Sequence, residues 1–358
     1  MFYSINGIAS CDRFEKEIII CVKDEVTGQL YDLWTKTSEH EIDGALVELY
    51  DLMLEYVFGD IESYYRIDHF LPSLTKLAGF DAESAMSSDS YNAMLQRIND
   101  NSLIKRDMLL VDLQFLIGPI QNLILSICKG FLNIYTCLSG ITGNIQYFGN
   151  KTIFASGGNC EGVFSFLTSY FTKAYSILDI TTKLAYEFQN DPGTYDDLKH
   201  LRSIDVLFGA KKRLSLYGEK DTIFEENSCI NTIVSMRNEL VHNGTWELRS
   251  KVYCEIRNDE IVRRFIPWPE LRDGRLATVL NRRRFFSTNE TVNEVLPVIH
   301  DEFMRRINIT VKLMLEEYRT KLPHRSFSQT TGVSVEEGIQ QILDFYNDLM
   351  KRQEGEKK

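Results

Sequence analysis

The stretch Ser235-Met-Arg-Asn-Glu-Leu-Val-His-Asn-Gly244 sets an arginine and a histidine five residues apart, with an asparagine directly after the arginine. His242 is the one side chain there that can take or give a proton near neutral pH. Arg237 carries a permanent cation with a forked set of donors, suited to a phosphate. No metal-ligating cluster accompanies them. A proton handler beside a phosphate clamp makes RNA cleavage, with the RNA's own 2′-hydroxyl as nucleophile, the expected chemistry.

Those residues need a rigid element to position them. Ile230, Ile233, Val234, Leu240 and Val241 give residues 227–242 an apolar helical stripe. On such a helix Asn238 and His242 share a face, with Arg237 ~100° around from Asn238. Asn243-Gly244 is a stop signal, because glycine tolerates the left-handed position that follows a helix.

The neighbouring elements follow from the same reasoning. A long helix is expected over 161–189, apolar along Phe164, Leu167, Phe171, Ala174, Tyr175 and Leu178, and ended by Asn190-Asp-Pro-Gly193. A second spans 195–208. Residues 249–256 and 260–266 form a β-hairpin. A very long helix over 290–321 is capped by Ser287, Thr288 or Asn289 and stopped by Pro323. A last helix covers 334–351, before a frayed charged tail at 352–358. Upstream, residues 17–22 and 29–34 are strands around Thr27-Gly28. From Glu41 the positions of Ala45, Leu46, Leu49, Leu52, Met53 and Tyr56 repeat with helical spacing. Residues 108–138 form a buried core helix or helix pair, kinked at Gly118-Pro119, in preference to a membrane span, because Asp112, Gln114, Gln121, Asn122 and Lys129 interrupt the apolar run. The Gly- and polar-rich stretch 139–159 is the expected boundary. The class is therefore mainly α with two small β-hairpins. An N-terminal, mostly helical domain occupies 1–150, and a helical bundle with an inserted hairpin (249–266) occupies 160–322.

Arg237-Asn-x-x-x-His242, on the third helix of a bundle that opens with a long amphipathic helix, resembles a HEPN domain (higher eukaryotes and prokaryotes nucleotide-binding). The resemblance covers residues 160–322, under half the chain. It implies a homodimer of helical bundles whose Arg–His pairs line a cleft. Catalytic members are metal-independent endoribonucleases that leave a 2′,3′-cyclic phosphate and a 5′-hydroxyl, and they occur among toxins and anti-phage defence proteins, with an antitoxin or activator as partner. On that resemblance Arg237 is the phosphate clamp, Asn238 orients the site and His242 transfers the proton. Many members are non-catalytic scaffolds that bind a nucleotide or a partner protein, which is the alternative.

The charge distribution bears on an RNA partner. The chain has a net charge of −11, which argues against indiscriminate coating of nucleic acid. Residues 199–325 nonetheless hold 23 Lys and Arg against 18 Asp and Glu, and the rest of the chain 17 against 33. Lys211-Lys212-Arg213 and Arg282-Arg283-Arg284, the latter followed by Phe285-Phe286, are the cations expected to meet RNA backbone and bases. Asp179 either faces the motif and holds Arg237 or is a surface charge. A second match to the spacing, Arg319 to His324, straddles Pro323 and lacks the asparagine. The seven cysteines show no paired or zinc-like spacing, so reduced thiols, no metal, no cofactor and a cytoplasmic location are expected.

Overall fold

A computed structural model describes residues 1–58, 62, 64, 65, 87–97, 102–141, 149–189, 206–244, 249–280, 282, 283, 287–321, 340–345, 347, 348 and 351. Most of the expected helix at 195–208, the first residues of the one at 334–351 and the tail at 352–358 lie outside them.

The described residues are mostly helical, with small antiparallel sheets. The described α-helices include α1 (Glu39–Phe58), α2 (Ser88–Arg97), α3 (Ser102–Ser139), α4 (Gly158–Gln189), α5 (Ser228–Asn243) and α6 (Val292–Lys321), and residues 340–345 are helical as well. The segment expected as a helix or a kinked pair is one helix, α3, running through Pro119. A proline there removes one bond, to the carbonyl of Phe115. Phe115 is exposed, so water can satisfy that carbonyl. By length and composition alone, Asp107–Ser139 could cross a membrane, and a third of its most apolar window is buried.

The chain divides into two compact units, and the division passes through helices rather than through 139–159. One unit comprises residues 1–43, 120–182 and 207–310. Its N-terminal strands β1 (Phe2–Ser4), β2 (Ala9–Ser10), β3 (Ile19–Lys23) and β4 (Leu30–Asp32) form a sheet in the order β2-β1-β3-β4. The expected strand pair at 17–34 is thus the β3–β4 half of a larger sheet. Within 139–159 a strand, β5 (Lys151–Ala155), pairs with β6 (Val252–Arg257), which pairs with β7 (Glu260–Phe265). The β6–β7 turn places Asn258 and Asp259 at φ 50° and 65°, the left-handed pair that a two-residue hairpin with native twist requires.

Six short strands follow, the first five where no element was expected and the last overlapping the expected start of the long helix: β8 (Pro267–Pro269), β9 (Leu271–Arg272), β10 (Arg275–Leu276), β11 (Thr278–Val279), β12 (Arg282–Arg283) and β13 (Ser287–Thr291). The expected cap residues of the last long helix are therefore β-strand, and α6 begins one residue past Thr291. The Thr291 hydroxyl donates to Glu294 at 2.8 Å, as a first-turn carboxylate allows.

The core of this unit collects Phe131 and Tyr135 of α3, Tyr170 and Phe171 of α4, Phe303 of α6, and Trp268, all fully buried or nearly so. Fully buried His300 of α6 stacks on Phe131 with ring centroids 4.4 Å apart, and its Nδ1 meets the Tyr170 hydroxyl at 3.0 Å.

The second unit comprises residues 44–119, 183–206 and 311–358. Tyr318 is its hub: the ring meets Phe188 at 4.6 Å and Tyr56 at 5.9 Å, both edge-on, and the hydroxyl reaches Met53 Sδ at 3.2 Å. Arg319, from the second match to the Arg–His spacing, pairs with Glu48; His324 lies outside the described residues.

Candidate functional site

α5 forms because Asn227 caps it, its Oδ1 accepting the Ile230 N–H at 3.0 Å, and it stops at Gly244, where φ is 80°. Ile230, Ile233, Met236 and Leu240 are buried along one side. The lead-in is anchored from α6. Arg306 Nη1 donates to the Thr222 carbonyl at 2.9 Å and to Glu225 at 2.7 Å, and its Nε to Glu302 at 2.6 Å. A second anchor comes from the β9–β10 turn, where the Asp273 carbonyl accepts from Asn231 Nδ2 at 3.2 Å. A Cβ built on Gly274 would lie 2.5 Å from the Ser228 carbonyl oxygen, so only glycine fits against this helix.

The last two turns of α5 bring the three motif residues together. Arg237 Nη1 donates to Asn238 Oδ1 at 2.9 Å and lies 3.4 Å from His242 Nε2. Asn238 and His242 are exposed and Arg237 is half-buried. With the guanidinium as donor, Nε2 is the accepting nitrogen and the ring proton sits on Nδ1. The adjacent Asn243 amide donates to Glu239 at 3.1 Å, one turn back on the helix.

Tyr175 of α4, read from sequence as part of an apolar face, is a member of this cluster. The Arg237 guanidinium carbon sits 4.6 Å from the centre of its ring, a cation–π distance. Burial, with the Asp179 carboxylate second, pushes the Tyr175 phenol pKa up against the pull of Arg237, so the ring stays neutral. The only sequence signal for this role was its place on the face of α4 that packs inward. Asp179 itself accepts the Phe208 N–H at 2.9 Å, at the start of a 3-10 helix, Phe208–Arg213.

The expected RNA-contacting cations have different fates. Lys211 is turned inward: its Nζ lies 3.4 Å from Glu226 and 4.5 Å from the Phe208 ring centre. Burial lowers its pKa, with Glu226 opposing, so this ammonium is a structural contact rather than one offered to solvent. Its place in a 3-10 turn, where residues three apart overlie, stacks it on Phe208. Lys212 and Arg213 are exposed on the same turn. Arg282 and Arg283 form β12, paired with β11, and Arg284 lies outside the described residues. Among the described residues no group of three His, Cys, Asp or Glu side chains is placed to hold a metal ion.

Comparison with protein-family models, with curated proteins and with solved structures finds no match to this chain.

Proposed function

We propose that this protein is a metal-independent endoribonuclease of HEPN type, acting as a homodimer in anti-phage defence or as a toxin. The observation that carries the reading is the contact of Arg237 with His242 at the exposed end of α5. A phosphodiester at this end would draw the guanidinium away from His242 and free Nε2 to accept a proton. His242 then takes the proton of the RNA 2′-hydroxyl, the 2′-oxygen bonds to phosphorus, and the bond from phosphorus to the 5′-oxygen breaks. The departing 5′-oxygen takes a proton from water or from the imidazole of a second copy. Arg237 offsets the added negative charge on the phosphoryl oxygens, and Asn238 fixes the guanidinium through its side-chain oxygen. Lys212 and Arg213 supply exposed cations for the RNA backbone.

A non-catalytic helical scaffold is the second reading. It is favoured by the seating of Arg237 within the chain, on Tyr175 and against Asn238, an arrangement that also serves as a finished helix end.

The test is incubation of a mixed RNA pool in EDTA with wild type, Arg237→Ala and His242→Ala, followed by end-group analysis. The ribonuclease reading expects 2′,3′-cyclic phosphate ends from wild type and at least about a hundredfold loss in both variants. A folded, dimeric wild type that leaves the pool intact, or equal cleavage by both variants, selects the scaffold.

A further inference from the structure

β5 (Lys151–Ala155) is an edge strand of the β5-β6-β7 sheet. It pairs with β6 over all five residues without a register shift, and among the described residues its other edge meets no strand. The strand is fixed at both ends. Before it, the Gly149 N–H donates to Asp259 Oδ1 at 2.8 Å, and Asn150 Oδ1 accepts the Asn258 N–H at 3.0 Å, which ties it to the β6–β7 turn. At its end the Ala155 carbonyl accepts the Cys160 thiol at 3.3 Å. The far side of the sheet is occupied instead: on β7 the Arg264 N–H donates to the Asn6 carbonyl at 2.8 Å, and the Arg264 carbonyl accepts from Asn293 Nδ2 at 2.9 Å.

A strand edge presents backbone N–H and C=O groups that can template another strand, and folds usually blunt it with proline, a bulge or a charge within the strand. β5 has no proline and no bulge, and its one charge, Lys151, stands at its first residue. Thr152 and Phe154 are exposed, Phe154 by 59%. Phe154, Tyr253 and Phe265 form a row across the three strands, the last two rings stacked with centroids 5.7 Å apart. Thr152, Glu255 and Arg263 form the neighbouring row on the same face.

We propose that β5 pairs with β5 of a second copy, antiparallel about a two-fold axis at Ile153, so that two three-stranded sheets become one of six strands. The open backbone edge selects an extended strand as its occupant. A second copy is selected by the fit of this strand to itself. The register sets Ile153 opposite Ile153 of the second copy, Thr152 opposite its Phe154 and Lys151 opposite its Ala155, so no like charges meet. The aromatic row of one copy then runs on into the Thr152, Glu255 and Arg263 row of the other. Because β5 is already anchored at both ends, little ordering entropy is lost when it pairs. The proposal rests on the homodimer of the proposed function, for which it supplies the interface, and is independent of the chemistry at α5.

The experiment is sedimentation of the full chain as wild type, as Thr152→Lys/Phe154→Lys, as Thr152→Glu/Phe154→Glu, and as an equimolar mixture of the two double variants. In the proposed register positions 152 and 154 face each other across the axis, so each double variant alone sets like charges opposite one another twice. The expected result is a wild-type dimer, a dissociation constant raised by at least about tenfold in each double variant, and a dimer restored in the mixture. Thermal midpoints stay close to wild type, because both substituted side chains are exposed. Double variants that dimerise as wild type does, or a mixture that stays monomeric, overturn this interface and leave the homodimer of the proposed function standing. A monomeric wild type overturns both. RNA cleavage is read separately, and its absence bears on the α5 site alone.

Discussion

At the scale of single residues, Tyr175 has the most to do with how Arg237 is presented. A guanidinium at the end of a helix has four side-chain torsions to settle, and the aromatic face 4.6 Å beneath it removes much of that freedom. The hydroxyl is not needed for this contact, whereas the ring is. On the proposed ribonuclease reading, Tyr175→Phe is therefore expected to keep RNA cleavage within about twofold of wild type, and Tyr175→Leu to lose about five- to tenfold, corresponding to the ~1 kcal/mol of a partly exposed cation–π pair. Cleavage rates of the two variants measured side by side check this, and a leucine variant as fast as the phenylalanine one would remove Tyr175 from the site. Both contacts, to Asn238 and to His242, are made by the single nitrogen Nη1 of Arg237.

At the scale of elements, α5 is held at its start by a glycine turn and at its lead-in by the buried Arg306, and its last turns are left to carry the motif. The β9–β10 turn has Asp273 at φ 50° and Gly274 at φ 75°. An alanine at 274 would meet both the strain of that backbone region and the backbone of α5, 2.5 Å away at Ser228. Gly274→Ala is expected to destabilise the fold by roughly 2–4 kcal/mol. Urea unfolding measures it, and a change below about 0.5 kcal/mol would show that the turn can part from the helix at no cost. The sequence Arg272-Asp-Gly-Arg275 carries a hairpin signal, yet its strands are two residues each. Periodicity cannot register strands so short, and the turn dipeptide alone does not say which helix it will touch.

At the scale of the whole molecule, two titratable groups, one buried and one half-buried, pull stability in opposite directions with pH. His300 is enclosed between Phe131 and Tyr170, and burial lowers its pKa from 6.5 to about 4, with Asp32 and Asp301 opposing. Between those values the unfolded chain binds a proton that the folded chain refuses. Stability is therefore lost as pH falls through this window, by up to about 3 kcal/mol. Glu187 is raised from 4.5 to about 7 by burial, with Asp112 adding to it. Here the folded chain holds the proton, so stability is lost as pH rises from about 4.5 to 7. The two effects oppose each other across much of the same range, and wild type is expected to show a shallow pH profile. His300→Phe keeps the stack on Phe131 and removes one of the two, so its stability relative to wild type should improve steadily as the pH is lowered from 6.5 to 4. Denaturant unfolding at several pH values checks this. A constant offset between the two proteins would show that His300 does not titrate against folding.

The sequence by itself determined the elements whose signals are local. The 3.6-residue apolar repeat places α1, α4, α5 and α6 close to their observed ends, because burial of one face is written in successive turns. Asn227 and Gly244 mark the limits of α5 through backbone groups only a few residues away. Asn258-Asp259 marks the β6–β7 hairpin in the same way. The tertiary structure alone decided what depends on residues distant in the chain. β5 is an unremarkable, mostly exposed run until β6, a hundred residues later, supplies its hydrogen bonds. Lys211 reads as one of three exposed cations until the fold turns it onto Phe208 and Glu226. Tyr175 reads as core until α5 lays Arg237 across its ring. Spacing along a helix shows which side chains share a face, but only the packing of a second helix against that face settles what they meet there.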